Sequence, residues 1–306
     1  MKTNHEQKTL VVLTGPTAVG KTKTAVELAQ KLNTEIVSAD ARQFFKEIKI
    51  ATAPPTDFEK KQVTHHFAGH LSVQDHYNVS MFEKQALKVL DEIFRHSDFA
   101  IVTGGSGLYI DALCFGIDDI PDVPDSIRKQ VKNIYAEGGL EALRRELKMA
   151  DPESYSKIDL SNPNRMMRPL EVFLSSGKKL SEWQLNKPQK RPFEIKKIVL
   201  NRSRNQLFTR IEQRVDEMVK NGLIEEARQF YPLRHLNALN TVGFKELFCW
   251  IEGKYTQEQA IEKIKVNTRR YAKRQLTWFK KYEDAKWFLP GEEKQILRFI
   301  KHLAGS

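Results

Sequence analysis

The sequence predicts an α/β fold: a parallel sheet built around a P-loop, flanked by helices and interrupted by an all-helical insertion. Three observations carry that expectation. The apolar run Thr9 to Leu13 leads into Gly15-x-x-x-x-Gly20-Lys21-Thr22 and then into the amphipathic stretch Lys23 to Leu32, which is the strand, glycine-bounded loop and helix of a phosphate-binding motif. Buried-type strands then alternate with helical patterns up to about residue 117, as parallel strands joined by right-handed crossovers do. From Asp118 the composition shifts to Asp118-Asp-Ile-Pro-Asp-Val-Pro-Asp125, and helical spacing dominates from there to about Pro192. The expected organisation is a P-loop core from residues 1–117 and 193–306, with a helical insertion at 118–192.

The chemistry of the first motif lies in its backbone. Gly15 and Gly20 let the chain wrap so that successive N–H groups of the loop through Pro16, Thr17, Ala18 and Val19, the proline itself having none, point inward at an anion, and the helix starting near Lys21 adds its positive end. Lys21 supplies a point charge for phosphate oxygens, and Thr22 a hydroxyl suited to Mg²⁺. The motif fixes a phosphorylated ligand without saying which.

Along the chain, Glu35-Ile-Val-Ser-Ala-Asp40 reads as a strand whose carboxyl end brings Asp40 to the mouth where ligands of open α/β sheets gather. Asp40 reads as a general base, a magnesium partner or a helix cap. Ala51-Thr-Ala-Pro-Pro55 is an extended loop. His65-His66 point different ways on regular structure and have no ligand at metal spacing, so they read as structural. Met81 to Phe94 has helical spacing, with Ser80 and Glu83 as an expected capping box. Phe99 to Gly105 reads as a third strand, lacking a terminal acid, followed by a helix from Ser106 to Leu113.

In the insertion, Arg128 to Tyr135, Leu140 to Leu147 and Arg165 to Ser175 carry helical spacing, the last ending at Gly177. Arg165 and Arg168 sit near a helix start, where the dipole disfavours cations; an anion-facing surface or a solvated face both account for them. Phe193 to Leu200 reads as a strand rejoining the sheet. On the helix Leu207 to Lys220, Arg210 and Arg214 share one face and could clamp a diphosphate. Asn240 to Lys245 is a loop entering a helix. Gln257 to Lys281 is helical and basic, with Tyr271, Trp278 and Phe279 among its cations, a mixture that suits nucleic acid or a core under a charged face.

The formal charge of +11 and pI of about 9.4 suit a polyanionic partner as well as an ordinary basic surface. No apolar stretch reaches membrane or signal length. Cys114 and Cys249 have no close-spaced partners and read as reduced core thiols of a cytoplasmic protein.

Several of these blocks together resemble the tRNA dimethylallyltransferases, also called tRNA isopentenyltransferases. The blocks are Gly15-Pro-Thr-Ala-Val-Gly-Lys-Thr22, Ser38-Ala-Asp40, Thr52-Ala53, His65-His66, Gly104-Gly-Ser-Gly-Leu-Tyr109, Asn162-Pro-x-Arg165, Val242-Gly243 and Lys273-Arg-Gln-x-Thr-Trp278. The resemblance implies transfer of a dimethylallyl group from dimethylallyl diphosphate to the N6 amine of the adenosine 3′-adjacent to the anticodon of tRNA. It implies Asp40 as general base, Thr17 as donor to the diphosphate, and Lys21 and Arg214 as its charged partners, with Mg²⁺ at Thr22. Family tRNA contacts map onto Asp40, Ala41, Arg42 and Gln43; onto Ser106 and Arg128; onto Asn164, Arg165, Met166, Met167 and Arg168; and onto Asn240, Thr241, Val242, Gly243, Phe244 and Lys245. The expected partner is a tRNA anticodon stem-loop engaged by a monomer, with the helical insertion as a tRNA-binding element. The chain departs from the family's pattern at Ala51-Thr-Ala-Pro-Pro55, where Gly-Thr-Ala-Lys-Pro is usual, and at Ala41 and Ser106, where serine and threonine are usual. A small-molecule kinase or ATPase would share the P-loop, but the bare end of the third strand argues against it.

Overall fold

The computed structural model describes residues 7–118, 120–184 and 188–301; the polar start before Gln7 and Asp119 of the acidic run lie outside them. The chain divides into two compact units, one made of the segments ending at Cys114 and resuming at Arg191, the other Phe115–Lys190.

The first unit begins with β1 (Thr9–Thr14), α1 (Lys21–Leu32), β2 (Ile36–Ser38), α2 (Asp57–Gln62), β3 (His65–His66), α3 (Val79–Ile93), β4 (Phe99–Gly104) and α4 (Gly107–Phe115). The helical unit contributes α5 (Asp125–Ala150), α6 (Pro152–Lys157), α7 (Pro163–Ser176) and α8 (Leu180–Trp183). The first unit then resumes with β5 (Glu194–Leu200), α9 (Arg204–Lys220), α10 (Leu223–Phe230), α11 (Phe244–Ile251), α12 (Gln257–Phe279), β6 (Lys286–Phe288) and α13 (Glu293–Ile300). The six strands lie in the order β3-β2-β4-β1-β5-β6 and every pairing is parallel. Central β1 is buried on both faces, which is why Thr9 to Thr14 reads as an unbroken apolar run.

Burial explains the rest of the first unit. Leu28 and Leu32 of α1, Ile211 of α9 and Ile296 of α13 pack on Val11, Leu13 and Leu200 of the sheet. Phe244, Leu247 and Phe248 of α11 form a second core with Val215, Phe230 and Ile264. The helical unit has its own core of Val131, Leu143, Leu147, Met166 and Leu170, so each unit buries apolar surface of its own, the main driving force for folding.

Two expectations need correction, the Ser80–Glu83 capping box and the burial of both cysteines in the core. Ser80 is not a cap: α3 starts at Val79, and the Asn78 side chain accepts the Met81 N–H at 2.8 Å. Glu83 is turned inward, where it pairs with buried Arg191 at 2.6 Å, so there is no capping box. As their spacing suggests, Arg128 to Tyr135 and Leu140 to Leu147 are separate helical segments of α5, divided by a kink at Gly139, whose non-helical φ of 61° and ψ of −154° a side chain would resist. Cys114 is a buried thiol pushed up to about 12 by desolvation, whereas Cys249 is only half-buried. Among the described residues no helix is long and apolar enough to cross a membrane.

Candidate active site

A cavity of about 520 Å³ opens at the carboxyl ends of the central strands and is lined wholly by residues of the first unit. The P-loop forms one wall. Gly15 has φ 149°, and a Cβ there would stand 2.4 Å from the Leu200 carbonyl oxygen, so only glycine lets β1 turn this tightly beside β5. The Lys21 ammonium donates to the Gly15 and Pro16 carbonyls at 3.0 Å each, closing the loop on itself. Enclosure strips water from Lys21 and holds it down to about 8; Asp40 pulls the value up and Arg214 pushes it further down. Thr17, Ala18, Gly20 and Thr22 line the cavity; Val19 is fully buried beneath it.

Asp40 leaves the end of β2 and faces the same cavity. Its Oδ1 accepts the Arg42 backbone N–H at 3.1 Å, and its carbonyl accepts the Gln43 N–H at 3.0 Å, so the carboxylate sits on a tight turn. Ser106 braces that turn by accepting the Ala41 N–H at 3.0 Å. Arg42 also lines the cavity and anchors its guanidinium on the Asn237 carbonyl at 2.7 Å. Opposite, α9 presents Arg210 and Arg214 on one face, as their spacing requires. Arg210 donates to the Ala18 carbonyl at 2.8 Å, tying α9 to the P-loop. Arg214, one turn on, is withdrawn from water, which lowers its affinity for its proton, while Asp40 opposes that shift.

The remaining wall is the loop 240–245. Asn240, Thr241, Val242, Gly243 and Lys245 line the cavity. Phe244 is fully buried in the second core, so its side chain packs and does not face a ligand. In the helical unit, Asn164 and Arg165 are exposed at the start of α7, where the Asn162 side chain accepts both their N–H groups. Arg128, Met167 and Arg168 are half-buried, and Met166 is wholly buried, a core residue by position. Burial lowers the proton affinity of Arg168, against the pull of Glu171.

His65 and His66 form the edge strand β3. His66 Nε2 meets Glu35 Oε2 at 2.5 Å; His65 Nδ1 faces the Val63 carbonyl at 2.8 Å, while its ring lines the cavity. Among the described residues no group of three His, Cys, Asp or Glu could hold a metal.

The IPP transferase family profile matches residues 43–282. The chain belongs to the IPP transferase family. Similar family members include a tRNA dimethylallyltransferase of Christiangramia forsetii, 48% identical over 293 residues, covering 95% of this chain and 97% of that protein. The tRNA dimethylallyltransferase 1 of Phocaeicola vulgatus is 46% identical over 292 residues, covering 95% and 97%. Among solved structures, the tRNA isopentenylpyrophosphate transferase of Bacillus halodurans superposes with a TM-score of 0.70 at 33% identity, covering 97% and 96% of the two chains. A eukaryotic dimethylallyltransferase acting on tRNA gives 0.78 at 26% identity, covering 96% and 80%.

Sequence reasoning passed over several residues that shape the site of this IPP transferase family member. Glu226 of α10 is buried and accepts the N–H groups of Lys49, Ile50 and Ala51 at 2.7, 2.9 and 2.8 Å, which pins the loop that departs from the family's usual Gly-Thr-Ala-Lys-Pro. Glu246 does the same for the opposite wall, accepting from the Gly243 N–H and the Asn267 amide at 2.8 and 2.7 Å. Tyr271, noted among the aromatic residues of the basic helix, and Gln275, within the block Lys273 to Trp278, also line the cavity, a position their spacing did not give. The only signal in the sequence was acidic residues in otherwise apolar helical stretches, which have to find donors when buried.

Proposed function

We propose that this protein transfers a dimethylallyl group from dimethylallyl diphosphate to the N6 amine of the adenosine 3′-adjacent to the anticodon of tRNA, releasing diphosphate. The observation that carries the reading is one cavity holding a P-loop with its lysine, an arginine pair and, facing them, the carboxylate of Asp40. Such a site can stabilise charge on a leaving diphosphate and take a proton from an attacking amine.

The amine nitrogen forms a bond to the allylic carbon as the carbon–oxygen bond to diphosphate breaks, and the N6 proton passes to Asp40. An exocyclic adenine amine is a weak nucleophile, so a base that accepts the proton as the bond forms lowers the barrier. The growing charge on the diphosphate is met by the loop amides, Lys21 and Arg214, already fixed by hydrogen bonds and burial and therefore needing little reorganisation. Thr17 stands at the P-loop wall as donor to the diphosphate. Arrival of the anion restores the affinity of Lys21 for its proton. The target base must leave the anticodon stack to reach Asp40, at roughly a few kcal/mol, and loop 240–245, Arg42 and Gln43 form the walls that receive it.

Magnesium fits this cavity. The Thr22 hydroxyl lines it, and so does Thr103, whose buried Oγ1 has no hydrogen-bond partner. Hydroxyl donors without a carboxylate cluster suit an ion that keeps waters and is shared with phosphates. Thr22 would hold it, and when bound it supplies further neutralisation of the diphosphate. The exposed cations of the helical unit, Arg165 above all, offer phosphate contacts to the anticodon stem-loop, and the protein acts as a cytoplasmic monomer.

The test is to incubate the protein with Mg²⁺, unmodified tRNA and radiolabelled dimethylallyl diphosphate, with labelled ATP in parallel. Label recovered in adenosine after digestion is expected. ATP turnover with no label in RNA would replace this reading with a kinase or ATPase.

A further inference from the structure

Helix α12 is basic on its exposed side, with Lys273 and Arg274 open to solvent and Lys280 and Lys281 exposed just past its end. Its inner side does something else. Gln275 is 5% exposed and spans two elements: its Oε1 accepts the Thr17 backbone N–H at 2.8 Å, and its Nε2 donates to the Gly105 carbonyl at 2.9 Å. One side chain thus joins the P-loop to the turn that follows β4.

That turn is shaped to receive it. A Cβ at Gly105 would lie 2.2 Å from Gln275 Nε2 and 3.6 Å from Asp40 Oδ2. One helical turn along, Trp278 donates to Asp111 at 3.0 Å, and a Cβ at Gly107 would stand 2.3 Å from its indole nitrogen. The Gly104 backbone is packed as tightly against Ala39, where a Cβ would meet the carbonyl oxygen at 2.2 Å. The two glycines at 105 and 107 are sockets for Gln275 and Trp278, and the chain entering Asp40 is pressed against the same turn.

The geometry points to Gln275 as a positioning residue for the transfer reaction: it sets the P-loop at Thr17 in register with the Gly105 turn beside Asp40, so that leaving group and base are held at one spacing. The inference rests on the function proposed above. It follows from two features of the contact. The Thr17 N–H is spent on Gln275, so Thr17, which lines the cavity, would meet a diphosphate through its hydroxyl. The amide is the direct bridge between the loop that binds the leaving group and the turn that flanks the base. A misplacement of about 1 Å between reacting groups costs on the order of 10²-fold in rate, so a single buried amide at this junction matters for chemistry as well as for folding.

The experiment compares wild type with Gln275→Met, Gln275→Ala, Gly105→Ala and the Gly105→Ala/Gln275→Ala double variant. The methionine keeps the volume and removes both hydrogen bonds. Three readouts are taken on each: kcat and KM for dimethylallyl diphosphate, calorimetric affinity for inorganic diphosphate, and tRNA affinity, each normalised to folded protein. Gln275→Met and Gln275→Ala should both lose about 10- to 100-fold in kcat and bind diphosphate about tenfold more weakly, with tRNA affinity unchanged. Gly105→Ala, which expels the amide, should reproduce that loss. The double variant should be no worse than either single one, because the added methyl then enters vacated space.

Wild-type kcat and diphosphate affinity in Gln275→Met would overturn the inference, as would losses that multiply in the double variant. If wild-type protein transfers no label, the proposed function falls, and the diphosphate measurements still decide whether Gln275 sets the P-loop.

Discussion

The cations around the P-loop and those on the helical unit are built in opposite ways. Lys21 and Arg214 are withdrawn from water and flank one carboxylate, Asp40, and burial lowers the proton affinity of both. Arg165 stands exposed at the start of α7, a place where the helix dipole gives a cation no support. A buried, pre-oriented cation is poised for a charge that develops at one point, and salt screens it little. An exposed cation is suited to a diffuse polyanion, and salt screens it strongly. On the proposed function, the difference separates chemistry from encounter: the first group would serve the diphosphate, the second RNA phosphates.

That division can be broken by substitution. Lys21→Ala should lower transfer by about 10²- to 10³-fold, the usual cost of removing one donor aimed at developing charge, and leave tRNA affinity unchanged in a filter-binding assay. A parallel loss of tRNA binding would erase the distinction. Arg214→Lys keeps the charge but not the planar fork, and should cost about tenfold in kcat/KM for dimethylallyl diphosphate; full activity would show that a point charge suffices.

The pH dependence sharpens the same comparison. Lys21 is held down to about 8, so the free site loses its ammonium as pH rises through that value. Diphosphate affinity should therefore fall above about pH 8, with proton uptake on binding there, seen as a buffer-dependent enthalpy in calorimetry. For the unliganded fold the sign is reversed: the unfolded chain keeps this proton up to the ordinary value of 10.5, so the fold gains stability from this group between about 8 and that value. A flat diphosphate affinity from pH 7 to 9.5 would mean that Lys21 is not the anion's partner. The smallest effect belongs to the exposed set. Arg165→Ala should reduce the slope of log affinity for tRNA against log salt by about one, weaken binding a few-fold at low salt, and leave kcat at saturating tRNA intact.

Much of the first unit was legible in its sequence because local pattern and tertiary role coincide there. The strand from Thr9, the loop from Gly15 to Thr22 and the pair Arg210 and Arg214 each state their structure in one short stretch. Residues whose role depends on distant partners were not legible. Gln275 falls in the block Lys273 to Trp278 that carries the family resemblance, but its task is unreadable until the structure places it 2.8 Å from Thr17, 258 positions away. Glu226 likewise reads as a surface acid on a helix, yet it holds a loop 175 to 177 positions earlier. Ser80 and Asn78 are equally good caps in composition, and only the backbone direction into α3 selects Asn78. In the insertion, spacing identified both helical segments of α5, because the apolar repeat stops short of Gly139 and resumes after it, where the backbone leaves the helical region.

The central claim is that Asp40 acts as the base while the P-loop carries the leaving group. The most direct test is single-turnover transfer by Asp40→Asn with both substrates prebound. Asparagine keeps the acceptor for the Arg42 N–H, so the turn should survive. The account predicts that transfer falls by at least about 10²-fold, the usual contribution of a general base, while affinities for tRNA and diphosphate stay within about twofold. Transfer at the wild-type rate, or a loss of tRNA binding as large as the loss of transfer, would contradict it.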